Sequence, residues 1–189
     1  MSRYVNWQEI GRGGHATVYR VHDVLLGRDV AMKVLNERAA GDADLIAGLR
    51  REVLISRDLR HRRICPIHDI YEGETLEGQP GIGVVMDLIN GSDAKQWIKV
   101  NRGKLSVTAQ DRLTFLIRVT EALDFAHRLI VHRDLKPANV FLFQGDITDP
   151  VIMDFGISVV GGATAGIGGT PVYMAPEQWE SPAKVDGPL

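Results

Sequence analysis

The stretch His132-Arg133-Asp134-Leu135-Lys136-Pro137-Ala138-Asn139 carries the most structural information in this sequence, and Asp154-Phe155-Gly156 follows it downstream. Asp134 is a carboxylate able to handle a hydroxyl proton. Asn139 and Asp154 are oxygen donors suited to magnesium. Phosphoryl transfer requires those parts in that relation. Each has a plainer reading, since Asn139 could cap a turn and Asp154 could begin one beside Gly156. Their joint spacing favours the chemical reading.

Upstream, Ile10-Gly11-Arg12-Gly13-Gly14-His15-Ala16-Thr17-Val18 lies between two expected strands. Glycines let a backbone fold tightly over phosphates and present its N–H groups. Such a loop alone is a weak signal, but Lys33 follows on the next strand, within Val30-Ala31-Met32-Lys33-Val34-Leu35. Alternation puts Ala31 and Lys33 on one face of that strand and Val30, Met32 and Val34 on the other. A solvated strand-edge lysine is the alternative, and the apolar neighbours argue against it. A lysine near a low-dielectric cleft needs an anionic partner. Glu52 is the best placed, on a helix expected over about 43–59 from Leu45, Leu49 and Val53; its alternative is an ordinary surface carboxylate.

The remaining pattern divides the chain. Val84-Val85-Met86 reads as a buried strand, and Asn90-Gly91-Ser92 breaks the pattern as a lobe boundary would. Beyond it, Leu113, Leu116, Ile117, Thr120, Leu123 and His127 follow helical spacing. Thr108 and Asp111 are placed to form a capping box at the start of that helix. Ile130-Val131 and Val140-Phe141-Leu142-Phe143 are short strand-like runs. The expectation is a β-rich unit over 1–91 and a helical unit over 92–189, with a cleft between them as the natural ligand site.

Composition bounds the function classes. The 189 residues hold 44% hydrophobic and 24% charged side chains with a formal net charge of -2, which is ordinary for a soluble domain and argues against a nucleic-acid-coating protein. The basic cluster Arg57, Arg60, His61, Arg62, Arg63 reads as a solvated helix end followed by a turn. Cys65 is the single cysteine, so no intrachain disulfide forms. The polar N-terminus is no secretory leader, and the longest apolar run, Gly81 to Ile89, is too short to span a bilayer. A soluble, cytoplasmic protein is expected. The histidine spacings give no zinc site, and nothing signals an oligomeric state.

These motifs, with Gly169-Thr170-Pro171-Val172-Tyr173-Met174-Ala175-Pro176-Glu177 behind them, resemble the catalytic domain of serine/threonine protein kinases, in the eukaryotic-like form found in bacteria. The resemblance covers nearly the whole chain, with the motifs in family order. It implies an α+β, two-lobed kinase-like fold with a β-rich N-lobe and an incomplete helical C-lobe. It implies ATP-dependent phosphorylation of Ser/Thr hydroxyls on protein substrates, with Mg²⁺. Asp134 would be the base, and Lys136, in the serine/threonine pattern, would neutralise charge at the γ-phosphate. Lys33, oriented by Glu52, would grip the α/β-phosphates, and Asn139 and Asp154 would hold the metal. The loop from Ile10 to Val18 would cover ATP, with Ile10, Val18 and Ala31 as roof of the adenine pocket. Met86 would stand at its back wall, Asp87, Leu88 and Ile89 would form the hinge, Asp93 would contact the ribose, and Phe141 would be the floor. Arg133 would pair with a phosphorylated activation segment, with Thr164 as the acceptor and Thr170 as the docking threonine.

The chain departs from the family pattern in three places. Ala16 replaces the third loop glycine, which predicts weakened nucleotide affinity at most. The activation segment is poor in hydroxyls. The sequence stops before the family's central C-lobe helix and the arginine that usually pairs with Glu177, which implies a fragment of a longer protein or a truncated product. The alternative function is a non-catalytic, pseudokinase-like nucleotide-binding module or an inactive fragment.

Overall fold

The computed structural model describes residues 2–14, 16–36, 40–41, 43–76, 78–102, 107–155, 171–174 and 176. His15, Gly156, Thr164 and Thr170, and the side chain of Glu52, lie outside that description. The chain divides into two units, Met1–Arg57 with Pro66–Leu88, and Asp58–Cys65 with Ile89–Leu189. A single cut after residue 91 does not contain the excursion of Asp58–Cys65 into the second unit.

The first unit is a five-stranded antiparallel sheet in the order β1-β2-β3-β5-β4. Its strands are β1 (Tyr4–Arg12), β2 (Ala16–Asp23), β3 (Arg28–Leu35), β4 (Ile67–Glu74) and β5 (Pro80–Asp87). The expected alternation of β3 is observed. Val30, Met32 and Val34 are buried with Tyr4, Tyr19, Val21, Tyr71 and Val85 in one apolar cluster. Residues directly opposite across antiparallel strands share a face. Lys33 pairs with Val18 and Val84, and Ala31 pairs with Met86. Val18, Ala31, Lys33 and Met86 therefore lie on the other face of the sheet.

The β2–β3 hairpin is fixed by a buried carboxylate. Asp23 accepts from the backbone N–H groups of Leu25 and Leu26 at 2.9 and 3.2 Å, and from Arg3 at 2.7 and 3.0 Å. The Arg3 guanidinium holds its carboxyl below the usual range, against the opposing effect of burial.

Helix α1 (Ala43–Ser56) packs on β4 and buries Leu49 and Val53. It is shorter than the sequence period suggests, because Leu59 is buried in the core of the second unit.

The second unit contains α2 (Ala94–Asn101), α3 (Ala109–His127) and a three-stranded antiparallel sheet of β6 (Gly91–Asp93), β7 (Val140–Phe143) and β8 (Pro150–Ile152). Ile64 forms a parallel bridge to Ile152, with hydrogen bonds from Cys65 N–H to the Ile152 carbonyl and from Ile152 N–H to the Arg63 carbonyl. The basic cluster is partly internal. The Arg63 side chain is only 6% exposed and contacts Asp149 at 2.8 Å, and the His61 ring stacks on Phe125. A salt bridge to Asp149 thus replaces the solvated helix end at Arg63.

The capping box of α3 forms as expected. Thr108 Oγ1 accepts from Asp111 N–H at 3.1 Å, and the Asp111 carboxylate accepts from Thr108 N–H at 2.9 Å. The buried residues of α3 are Val119, Ala122 and Ala126. Leu113, Leu116 and Ile117 of the expected stripe are 50%, 59% and 47% exposed. Ile130-Val131 forms no strand; the N–H groups of Leu129 and Ile130 both donate to the Ala126 carbonyl as the helix ends. Among the described residues, no helix is long and apolar enough to cross a membrane.

Candidate active site

The second unit assembles its polar residues in the loop between α3 and β7. Pro137 opens a short 3-10 turn over Pro137–Asn139, where its missing N–H costs nothing. That turn folds Asn139 back on Asp134. Asn139 Nδ2 donates to the Asp134 carbonyl at 2.8 Å and to Asp134 Oδ2 at 3.1 Å. Lys136 Nζ donates to the same Oδ2 at 2.6 Å. The two side chains of this ion pair are 13% and 23% exposed for Asp134 and Lys136. Both side-chain contacts fall on one carboxylate oxygen. Among the described residues Oδ1 is the one left to accept a proton from a hydroxyl.

A second loop is tied to the first. Met153 N–H donates to the Asn139 carbonyl at 2.9 Å. His132 Nε2 bonds the Met153 carbonyl at 2.9 Å. A carbonyl only accepts, so Nε2 carries the proton, and Nδ1 accepts from Asp134 N–H at 3.3 Å. The His132 ring lies 4.7 Å from that of Phe155. His132 therefore clamps Asp134 from one side and the residue before Asp154 from the other. The sequence motif contained His132 without revealing this role. Its only signal was a titratable ring beside the apolar run Leu129-Ile130-Val131.

Burial pushes the His132 imidazole below its ordinary value. Burial, then Arg63, does the same to His61. Both folded values lie below the unfolded one, so on acidification the unfolded chain takes up protons first and stability rises with pH in that window. The contribution is complete above about pH 6.5 and is lost as the pH falls from there through the depressed folded values. Urea denaturation between pH 5 and 8 is expected to show this slope, and His132→Phe is expected to flatten it. A wild-type curve level across that range would show that neither ring resists protonation.

Arg133 and Asp154 both adopt left-handed backbone conformations, with φ of 62° and 58°. Such a conformation costs a non-glycine residue on the order of 1–2 kcal/mol. Two of them on either side of Asp134 and Asn139 mark a loop pair held in a costly geometry, as functional loops often are. Thr164, the expected partner of Arg133, lies outside the described residues.

Asn139 and Asp154 fit a magnesium ion by their chemistry. Asn139 commits its Nδ2 to Asp134, which leaves its oxygen as the available ligand atom. Among the described residues no group of three or more His, Cys, Asp or Glu could hold a metal. Magnesium is commonly bound by one or two protein oxygens with phosphates and water completing its shell, and two such donors are what the loops offer. Phe141 and Asp93 are cross-strand partners on β7 and β6. Asp93 also caps α2, its Oδ1 accepting from Gln96 N–H at 2.8 Å.

In the first unit, β1 and β2 remain paired up to Arg12 and Thr17. The turn is closed by Gly13 N–H to the Ala16 carbonyl at 2.8 Å, and Asn36 Nδ2 donates to the Gly14 carbonyl at 2.7 Å. Arg12 is held by Glu9 through two bonds of 2.6 and 3.0 Å. A side chain at Gly14 would meet nothing within 4 Å. The protein's own packing among the described residues therefore does not require glycine there. Ala16 is buried and pairs with Leu35, so its methyl is absorbed into the sheet. Ile10 is 49% exposed, while Ala31 and Met86 are buried. Asp87 ends β5, and Leu88 and Ile89 continue without ladder partners. Lys33 is half-buried at mid-strand.

Comparison with known proteins gives one family. The protein kinase domain matches residues 4–186. A probable serine/threonine-protein kinase of Streptomyces coelicolor is 36% identical over 184 residues, which is 93% of this chain and 26% of the relative. Serine/threonine-protein kinase PkaA of the same organism is 36% identical over 95% of this chain and 35% of its own length. PrkC of Bacillus subtilis is 33% identical over 93% of this chain and 26% of its own. The chain thus spans between about a quarter and about a third of the length of these relatives. The crystal structure of the Mycobacterium tuberculosis PknI kinase domain superposes with a TM-score of 0.71 at 29% identity, covering 99% of this chain and 71% of that one.

Proposed function

The chain belongs to the protein kinase domain family, and on that premise we propose that it transfers the γ-phosphoryl group of ATP to serine and threonine hydroxyls of protein substrates in the cytoplasm. The observation that carries the reading is the Asp134 carboxylate, with Oδ2 fixed by Lys136 and Asn139 and Oδ1 left for a hydroxyl. Asp134 orients the acceptor hydroxyl and takes its proton as the new O–P bond forms. The bond between the γ-phosphorus and the β–γ bridging oxygen breaks, and ADP leaves with that electron pair. Lys136 neutralises charge on the phosphoryl oxygens in flight. Asn139 and Asp154 would hold magnesium, which would offset the negative charge of the phosphates.

Lys33 takes the α/β-phosphates, with Glu52 as the carboxylate that orients it. The loop from Ile10 to Val18 covers the triphosphate through its backbone. Ile10, Val18, Ala31, Met86 and Phe141 enclose the adenine. The backbone of residues 87–89 reads its edge, and Asp93 keeps one carboxylate oxygen for the ribose after capping α2. Arg133 and Thr164 form the regulatory pair, and Thr170 contributes to acceptor docking.

Incubation with radiolabelled ATP, Mg²⁺ and a generic protein acceptor tests the reading. Acid-stable label on phosphoserine or phosphothreonine, lost when magnesium is chelated, is the expected result. Nucleotide bound without any transfer would support the non-catalytic alternative.

A further inference from the structure

β4 contains an irregularity whose side chain points at the start of the hinge. Ile67 pairs with Met86 and Asp69 with Val85, so His68 is the extra residue of a bulge between them. Bulges re-aim a side chain, and they recur beside functional sites. Here the His68 ring meets the last residue of β5, with Nε2 at 2.8 Å from Asp87 Oδ1. Arg28, at the first position of β3, reaches the same point. Its Nη2 lies 2.9 Å from His68 Nε2 and 3.4 Å from Asp87 Oδ1. The backbone of Asp87 is tied as well, its N–H donating to the Pro66 carbonyl at 3.0 Å.

The chemistry of this cluster selects one arrangement. A guanidinium only donates and a carboxylate only accepts, so Nε2 satisfies one neighbour at a time. The bond to the charged acceptor is the stronger, so Nε2 keeps its proton and donates to Asp87, while Arg28 adds its charge to the same carboxylate. Three strands thereby converge on the residue after which the chain leaves the sheet.

We propose that His68 is a positioning residue for adenine recognition, holding the Asp87 carboxylate so that the backbone of residues 87–89 departs β5 in the orientation that reads the base. This rests on the hinge assignment made above. A plain surface ion pair would instead contribute little, and only to stability.

Calorimetric binding of adenosine, Mg-ATP and inorganic tripolyphosphate separates these roles, because a displaced hinge affects the base and leaves the phosphate contacts in place. The proteins to compare are wild type, His68→Leu, His68→Gln and Glu72→Gln. The last removes the exposed Arg50–Glu72 pair elsewhere on β4. His68→Leu is expected to weaken adenosine and Mg-ATP about tenfold, the equivalent of roughly one charge-assisted hydrogen bond, with tripolyphosphate unchanged. His68→Gln, which restores an N–H donor, is expected to recover most of that loss, and Glu72→Gln to bind as wild type. Unchanged adenosine affinity in His68→Leu overturns the proposal. So does a parallel loss for all three ligands that tracks a lowered melting temperature, or a folded His68→Gln with no recovery. Wild type that binds tripolyphosphate but not adenosine removes the hinge assignment itself, and the role of His68 with it.

Discussion

Asp134→Asn is expected to lower phosphoryl transfer by about 10²–10⁴-fold, the range attributed to a positioned general base, while Mg-ATP affinity stays close to wild type. The geometry explains why the two effects separate. An asparagine at 134 keeps one oxygen, which can take the place of Oδ2 and accept from Lys136 Nζ and Asn139 Nδ2 as the carboxylate does. Its amide nitrogen then stands where Oδ1 stood. That atom donates and has no lone pair for a hydroxyl proton. The bond donated by the residue 134 N–H to the His132 carbonyl and the bond donated by Asn139 Nδ2 to the residue 134 carbonyl are unaffected by the substitution. Single-turnover transfer measured beside a thermal melt and a nucleotide titration checks the split. Equal transfer from both proteins would remove Asp134 from the chemistry, and the enzymatic reading would go with it.

Gly91→Ala carries the largest expected cost in stability, about 3 kcal/mol or more, at the upper end for overpacking. A Cβ built at Gly91 would lie 2.0 Å from the Leu142 carbonyl oxygen, 3.0 Å from its carbon and 3.3 Å from the Gln144 nitrogen. All three are backbone atoms, so no side-chain rotation relieves the clash. Relief requires β6 to separate from β7, where Gly91 faces Phe143 and Asp93 faces Phe141. The same movement would displace Phe141 and the cap that Asp93 places on α2. Urea denaturation of the purified variant gives the cost directly. A change below about 0.5 kcal/mol, the scale of an ordinary surface substitution, would mean that the two strands approach less closely than described.

The parts of this structure that sequence announced are those encoded locally. Val30, Met32 and Val34 alternate with Ala31 and Lys33, and a period of two leaves few ways to place a half-buried strand. Thr108 and Asp111 are three residues apart, so their reciprocal bonds need only one turn of helix. Asp134, Lys136 and Asn139 close on one another within a six-residue loop whose proline fixes the turn. What the sequence hid depends on distant partners. Arg63 looked like part of a solvated basic run because Asp149, which it contacts, lies far along the chain. The period of α1 continued to Leu59 because Leu59 is buried too, but in a different core. In α3, apolar residues occupy more than one side, and periodicity alone did not separate the buried Val119, Ala122 and Ala126 from the exposed Leu113, Leu116 and Ile117. The bulge at His68 shifts register by one residue, which no local pattern of side chains records.

The bridge between Ile64 and Ile152 has a practical consequence for anyone wishing to dissect this molecule. A polypeptide started at Ile89 would strand the outer edge of β8, whose N–H and carbonyl groups at Ile152 are satisfied by Arg63 and Cys65. During synthesis the octapeptide Asp58–Cys65 leaves the ribosome well before β8 exists, so the second unit completes this edge only once Pro150–Ile152 has been made. Expression boundaries drawn between Leu88 and Ile89 would therefore yield an aggregation-prone piece, whereas a fusion that carries residues 58–65 back onto that edge would restore its missing neighbour.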